Sequence, residues 1–120
     1  MNYQIVTTND FEREIKILSK KYRSLKTDLI TFKKELLKNP TMGDNLGNNI
    51  RKIRMSIASK NKGKSGGARV ITCNVLVDVV NTDIYLLAVY DKSEQENISK
   101  KEIEYLIKIN GLVNHTEQHA

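Results

Sequence analysis

Apolar positions along the chain follow two periods. Phe11, Ile15, Leu18 and Tyr22 recur at helical spacing, and Leu25, Leu29, Phe32 and Leu36 repeat it. These stripes predict two helices joined around Arg23, an αα-hairpin whose single apolar side needs a sheet to cover. Asn9 with Glu12 reads as the cap of the first helix and Ser24 as the cap of the second, which Pro40 stops. Before them, Asn2–Val6 alternates weakly, as a short strand would. From Arg51 the period becomes two. Ile53, Met55 and Ile57 fall on one face and Lys52, Arg54 and Ser56 on the other. A Gly/Ser/Lys/Asn stretch from Ala58 to Gly67 then separates this run from the β-branched run Ala68–Val77, predicting a hairpin with a long connection.

Thr41–Asn49, with Gly43 and Gly47 among Asp and Asn, reads as loop, and Asn81-Thr82-Asp83 as a turn. Ile84–Tyr90 is almost continuously apolar, as a central strand is. Ser99 and Glu102 form a capping box, Ile98 staples against Ile103, and Gly111 stops the helix that Ile103, Leu106 and Ile107 face inward. Asn114–Ala120 reads as a polar tail. The expected fold class is α+β in a single domain over residues 1–120. An N-terminal helical hairpin packs on an antiparallel sheet of about four strands, with a C-terminal helix and all helices on one sheet face.

Composition adds charge to this frame. The 120 residues carry 20 Lys+Arg against 14 Asp+Glu, a formal net charge of +6. The excess is not spread evenly. Arg51, Lys52, Arg54, Lys60, Lys62, Lys64 and Arg69 all fall in the hairpin, and no acidic residue lies between Asp44 and Asp78. Such a face should meet an anion, ordinarily a phosphate backbone. The single cysteine, Cys73, sits among apolar residues of a strand and reads as a buried hydrophobe. His115 and His119 lie in the tail without a cysteine partner, so no metal or other cofactor is expected, and no nucleophile–base–orienter triad can be assembled. The glycines of the hairpin do not sit between a strand and a helix, so they form no P-loop. The leading residues lack a signal-peptide core and no run reaches membrane-spanning length, so the expected setting is cytoplasmic, away from membrane.

Lys52 and Arg54 project from the same side of one strand, and the hairpin returns Arg69 towards them. Three cations around one phosphate would stabilise the additional charge of a phosphorane transition state. Crowded cations also disfavour the protonated form of a lysine, which suits it to take a proton from a ribose 2′-hydroxyl. That is a route to RNA cleavage without histidine or metal. The alternative from charge pattern alone is a solvated polar face.

Arg51-Lys52-Ile53-Arg54, Gly67-Ala68-Arg69-Val70-Ile71 and the strand ending Val89-Tyr90-Asp91-Lys92-Ser93-Glu94 together resemble the RelE/ParE superfamily of bacterial toxins, and the element order is similar over nearly the whole chain. The resemblance implies a RelE-like, microbial RNase-type fold and a ribosome-dependent mRNA endonuclease. It also implies a cognate antitoxin as partner, presenting an acidic or amphipathic segment, beside mRNA and ribosome. It sets Lys52 at the catalytic lysine, Arg54 at a second basic catalytic position, Arg69 at the scissile-phosphate arginine and Lys92 in the basic patch after the last strand. Ser93 stands where an arginine is usual, and no tyrosine stands near Ile98. Tyr90, or else Tyr85 or Asp91, would take the tyrosine's part. Arg51, Lys60, Lys62 and Lys64 would contact RNA. The alternatives are a ParE-like toxin acting on DNA gyrase and a module that binds RNA without chemistry.

Overall fold

The computed structural model describes residues 1–61 and 63–112. Lys62, the two histidines and the tail from Asn114 lie outside the described residues. Strand β1 (Asn2–Thr7) leads into helices α1 (Asn9–Lys21) and α2 (Leu25–Lys38). Strands β2 (Asp44–Gly47) and β3 (Ile50–Met55) follow, then a 3-10 turn (Ala58–Lys60), β4 (Ala68–Leu76), β5 (Asn81–Asp91) and helix α3 (Lys100–Ile109). The class is α+β, as the pattern predicts, but the sheet has five strands in the order β1-β5-β4-β3-β2. It is mixed rather than antiparallel, because β1 lies parallel to β5, with Ile5 opposite Ile84.

Strand β2 replaces part of the expected loop. Asn48 and Asn49 both have positive φ, 53° and 64°, and link Gly47 to its partner Ile50. This is the backbone a two-residue hairpin of the primed type demands, and asparagine tolerates it. All four residues of β2 are exposed, so the strand carries no apolar signal. The turn between β4 and β5 lies earlier than expected, where Asp78 accepts from the amides of Val80 and Asn81. Asn81–Asp83 already belong to β5.

The two faces of the sheet carry separate cores. Phe11, Leu18, Leu25, Phe32 and Leu36 of α1 and α2 pack on Ile53, Met55, Val70, Ile84, Leu86 and Val89. On the other face Ile98, Ile103 and Leu106 pack on Ile50, Ile71, Cys73, Leu87 and Tyr90. The expectation that all helices share a face is therefore corrected. Leu86 and Leu87 are adjacent and both fully buried, so β5 needs cover on both sides, and α3 supplies the second. Burying each large aliphatic side chain contributes about 1.5–3 kcal/mol.

Helix ends also differ from the expected caps. Thr8, not Asn9, caps α1, accepting from the Phe11 amide while its hydroxyl donates to the Leu86 carbonyl on β5. Thr8 is buried, and a cap that also reaches the sheet fixes the entry of the helix. Ser24 makes no capping hydrogen bond to α2. Its hydroxyl turns instead to Asp28 and to Ser59 of the 3-10 turn. Ser99 caps α3 as expected, accepting from the Glu102 amide, and Gly111 closes that helix at φ 69°.

Candidate active site

Register sets the site. On β3 and β4, Arg54 is the direct cross-strand partner of Arg69, and on β4 and β5 Arg69 is the partner of Tyr90. Residues directly opposite across antiparallel strands hold their Cβ atoms about 5 Å apart on one face. Arg54, Arg69 and Tyr90 thus form a row across the three strands. Lys52 stands on the same face of β3, one pleat along, opposite Ile71. Lys92 follows Tyr90 by the same alternation, just past the end of β5. Strand alternation therefore puts Lys52, Arg54, Arg69 and Tyr90 on the face that also carries α3, while Arg54, near the end of β3, also borders a small cavity with Asp28 and Glu35 of α2.

Their environments differ. Arg54 is exposed, and Lys52 and Lys92 are half-buried. Lys52 donates from Nζ to the Asn97 side-chain oxygen at 3.4 Å, and the Ile98 amide donates to that same oxygen. Asn97 so ties the lysine to the start of α3. Lys92 donates to the Glu96 carbonyl at 3.1 Å, and its own amide donates to the Gly67 carbonyl.

Arg69 is only 7% exposed. Its guanidinium is held by carbonyls: Lys64 and Ala68 accept from Nη1 at 3.2 and 3.3 Å, and Ser65 accepts from Nη2 at 3.0 Å. Neutral acceptors leave its charge uncancelled. Among the described residues no ion pair involves Arg69, Arg54 or Lys52. Guanidinium carries five N–H donors, so three such contacts leave part of its fork for an anion. Gly67 makes this close packing possible, since a Cβ there would stand 2.1 Å from the Met55 carbonyl oxygen.

Tyr90 is nearly buried and its hydroxyl has no hydrogen-bond partner among the described residues. Burial raises its pKa above the ordinary 10, and the neighbouring Arg69 charge opposes that rise. The phenol consequently keeps its proton at neutral pH and stands as an uncommitted donor beside an arginine. An unpaired buried hydroxyl is costly in a fold, and Thr72 Oγ1 and Asn74 Oδ1 share that condition among the described residues.

The remaining cations do not join this row. Alternation places Arg51 on the helical-hairpin face with Ile53, opposite Thr72. Lys60 is turned inward, its Nζ 2.7 Å from an Asp91 carboxylate oxygen, with only 8% of the side chain exposed. Lys64 pairs with Glu35 of α2 at 3.1 Å on the surface. The Lys60 side chain is thus occupied within the fold, whereas that of Lys64, 53% exposed, stays at the surface beside Glu35. A stretch without acidic residues in sequence still meets carboxylates brought to it by other elements. Tyr85 belongs to the middle of β5, opposite Cys73, and Asp91 faces the helical hairpin, so neither joins the row. Cys73 is buried, and that burial pushes its thiol up to about 11, an inert group.

Two contacts escape sequence reading. Asn97 orients Lys52 and Asp91 binds Lys60, and both contacts span more than thirty residues. No local pattern announces them. The one usable signal is the Asp-Lys-Ser-Glu exit from an apolar strand, which marks a turn but not its partners.

A family model described as the RelE toxin of the RelE/RelB toxin–antitoxin system matches residues 4–120.

Proposed function

Since this chain belongs to the RelE toxin family of RelE/RelB toxin–antitoxin systems, we propose that it stops translation by cutting mRNA on the ribosome, the cytoplasmic role that its antitoxin partner would restrain. The observation that carries this reading is the row Arg54–Arg69–Tyr90 with Lys52 beside it on one face. In the proposed reaction Lys52 takes the proton of a ribose 2′-hydroxyl. The oxygen attacks the adjacent phosphorus, and the bond to the 5′-oxygen breaks. Arg54 and Arg69 stabilise the charge that builds on the phosphoryl oxygens, where aimed donors act most strongly. Tyr90, protonated and uncommitted, gives its proton to the departing 5′-oxygen. The products are a 2′,3′-cyclic phosphate and a free 5′-hydroxyl. Lys92 holds a flanking phosphate.

A translating extract programmed with a defined mRNA tests this. Addition of the protein should yield cut message with 5′-hydroxyl ends, and a single 2′-deoxynucleotide placed 5′ of the cut bond should abolish cleavage there. Translation arrest with intact message, or equal cutting of the deoxy-substituted bond, would overturn the proposal.

A further inference from the structure

Asp91 stands between Tyr90 and Lys92 in sequence, yet its side chain leaves their face. The carboxylate is fully buried against the helical hairpin. It accepts from the Tyr22 hydroxyl, from Lys60 Nζ at 2.7 Å, and from the Ser93 hydroxyl and amide at 2.7 and 2.9 Å. Lys21 lies 3.7 Å from its other oxygen. Lys60 is itself held in place, because the preceding turn is bolted to α2. The Ala58 amide donates to Asp28 and the Ser59 amide to Ser24.

The backbone of Asp91 is engaged as well, being the register partner of Ala68. Lys60 is the last residue of the 3-10 turn inside the connection between β3 and β4, and Ala68 is the first residue of β4 beyond it. Both ends of the segment from Lys60 to Ala68 are thus fastened to one residue, one by a buried ion pair and one by the strand ladder. Between them stand the Lys64 and Ser65 carbonyls that hold the Arg69 guanidinium. Pinning the ends of a segment narrows the positions its middle can sample. The carboxylate does this from the opposite face of the sheet, so it leaves the charge of Arg69 uncancelled.

We propose that Asp91 is a positioning residue for Arg69: by clasping both ends of the segment from Lys60 to Ala68 it holds the carbonyls that orient the guanidinium. The functional weight of this rests on Arg69 meeting the scissile phosphate, but the clasp can be read without any nuclease assay. In nitrogen–proton spectra, with signals assigned through Arg69→Lys, the Arg69 Nη groups of the wild type should give separate, slowly exchanging signals. Lys60→Met should merge them into one averaged signal, and Lys60→Arg should keep them apart. Tyr22→Phe leaves the ion pair intact, should loosen the signals partially, and carries the test if Lys60→Met does not fold. Separate signals in both Lys60→Met and Tyr22→Phe would overturn the proposal, even if their melting temperatures fall.

Cleavage supplies a second reading. Lys60→Met should lower kcat roughly ten- to hundredfold with little change in KM, as a misplaced contact does. It should add nothing in an Arg69→Ala background. Equal losses in both backgrounds would mark Lys60 and Asp91 as merely structural. A wild type that leaves RNA intact would end the nuclease reading while the spectra still decide the clasp.

Discussion

Tyr90 and Arg69 offer the sharpest test of a single residue. Tyr90→Phe removes an unpaired buried hydroxyl and nothing else. Deleting such a group should leave stability unchanged or raise it by up to about 1 kcal/mol. The same change should lower cleavage about a hundredfold if the phenol supplies the leaving-group proton. Chemical denaturation and single-turnover kinetics on one preparation read both. A stability loss with full activity would refute the assigned role. Asp91 makes an opposite demand. Burial alone would raise its pKa, but hydrogen bonds from Lys60, Tyr22 and Ser93 outweigh it and hold the carboxyl well below 3.8. A carboxyl depressed in the folded state contributes stability that is present above its unfolded pKa and fades as pH falls below about 4. The melting temperature should therefore drop below pH 4, and Asp91→Asn should start lower at neutral pH and show a shallower acid decline.

At the scale of elements, the segment from Lys60 to Ala68 carries the Lys64 and Ser65 carbonyls that hold the Arg69 guanidinium. Gly67 is the segment's tightest point. Gly67→Ala would drive a Cβ into the Met55 carbonyl and should destabilise by about 1–3 kcal/mol, measured by denaturant unfolding. Because Gly67 also accepts from the Lys92 amide, cleavage should fall with it. The elements themselves were largely legible. Period-four stripes found α1 and α2, alternation found β3, and the Ser99–Glu102 pair found the start of α3. Those signals are local, and local geometry produces them. Strand β2 was not legible, because an exposed edge strand of Asp, Asn, Leu and Gly shows neither alternation nor β-branched residues. The cap at Thr8 was displaced by one residue, since Asn9 and Thr8 are both competent and only the carbonyls of β5 favour threonine. The parallel pairing of β1 to β5 joins segments remote in sequence, Asn2 opposite Asn81, and no local pattern encodes such a partner.

Over the whole molecule, two cores on opposite sheet faces divide the labour. The helical hairpin anchors the β3–β4 connection from one side, while the face with α3 presents Lys52, Arg54 and Arg69. The shared face of Lys52 and Arg54 was readable from the alternation of β3. The inward turn of Lys60 and the pairing of Lys64 were not, because Asp91 and Glu35 approach from remote segments. The uncancelled positive charge is accordingly smaller than the sequence suggests. Binding of single-stranded RNA should weaken with salt at a slope of about −0.7 for each phosphate contact. Arg54→Ala should reduce that slope by one contact, while Lys60→Met should leave it unchanged, both read by fluorescence anisotropy. The central claim is that Lys52, Arg54 and Arg69 together grip a transferring phosphoryl group. Single-turnover cleavage of ribosome-bound mRNA by Lys52→Ala, Arg54→Ala and Arg69→Ala, each shown to be folded, tests it most directly. Each should be slower by about a hundredfold or more, whereas three variants cutting at nearly the wild-type rate would contradict it.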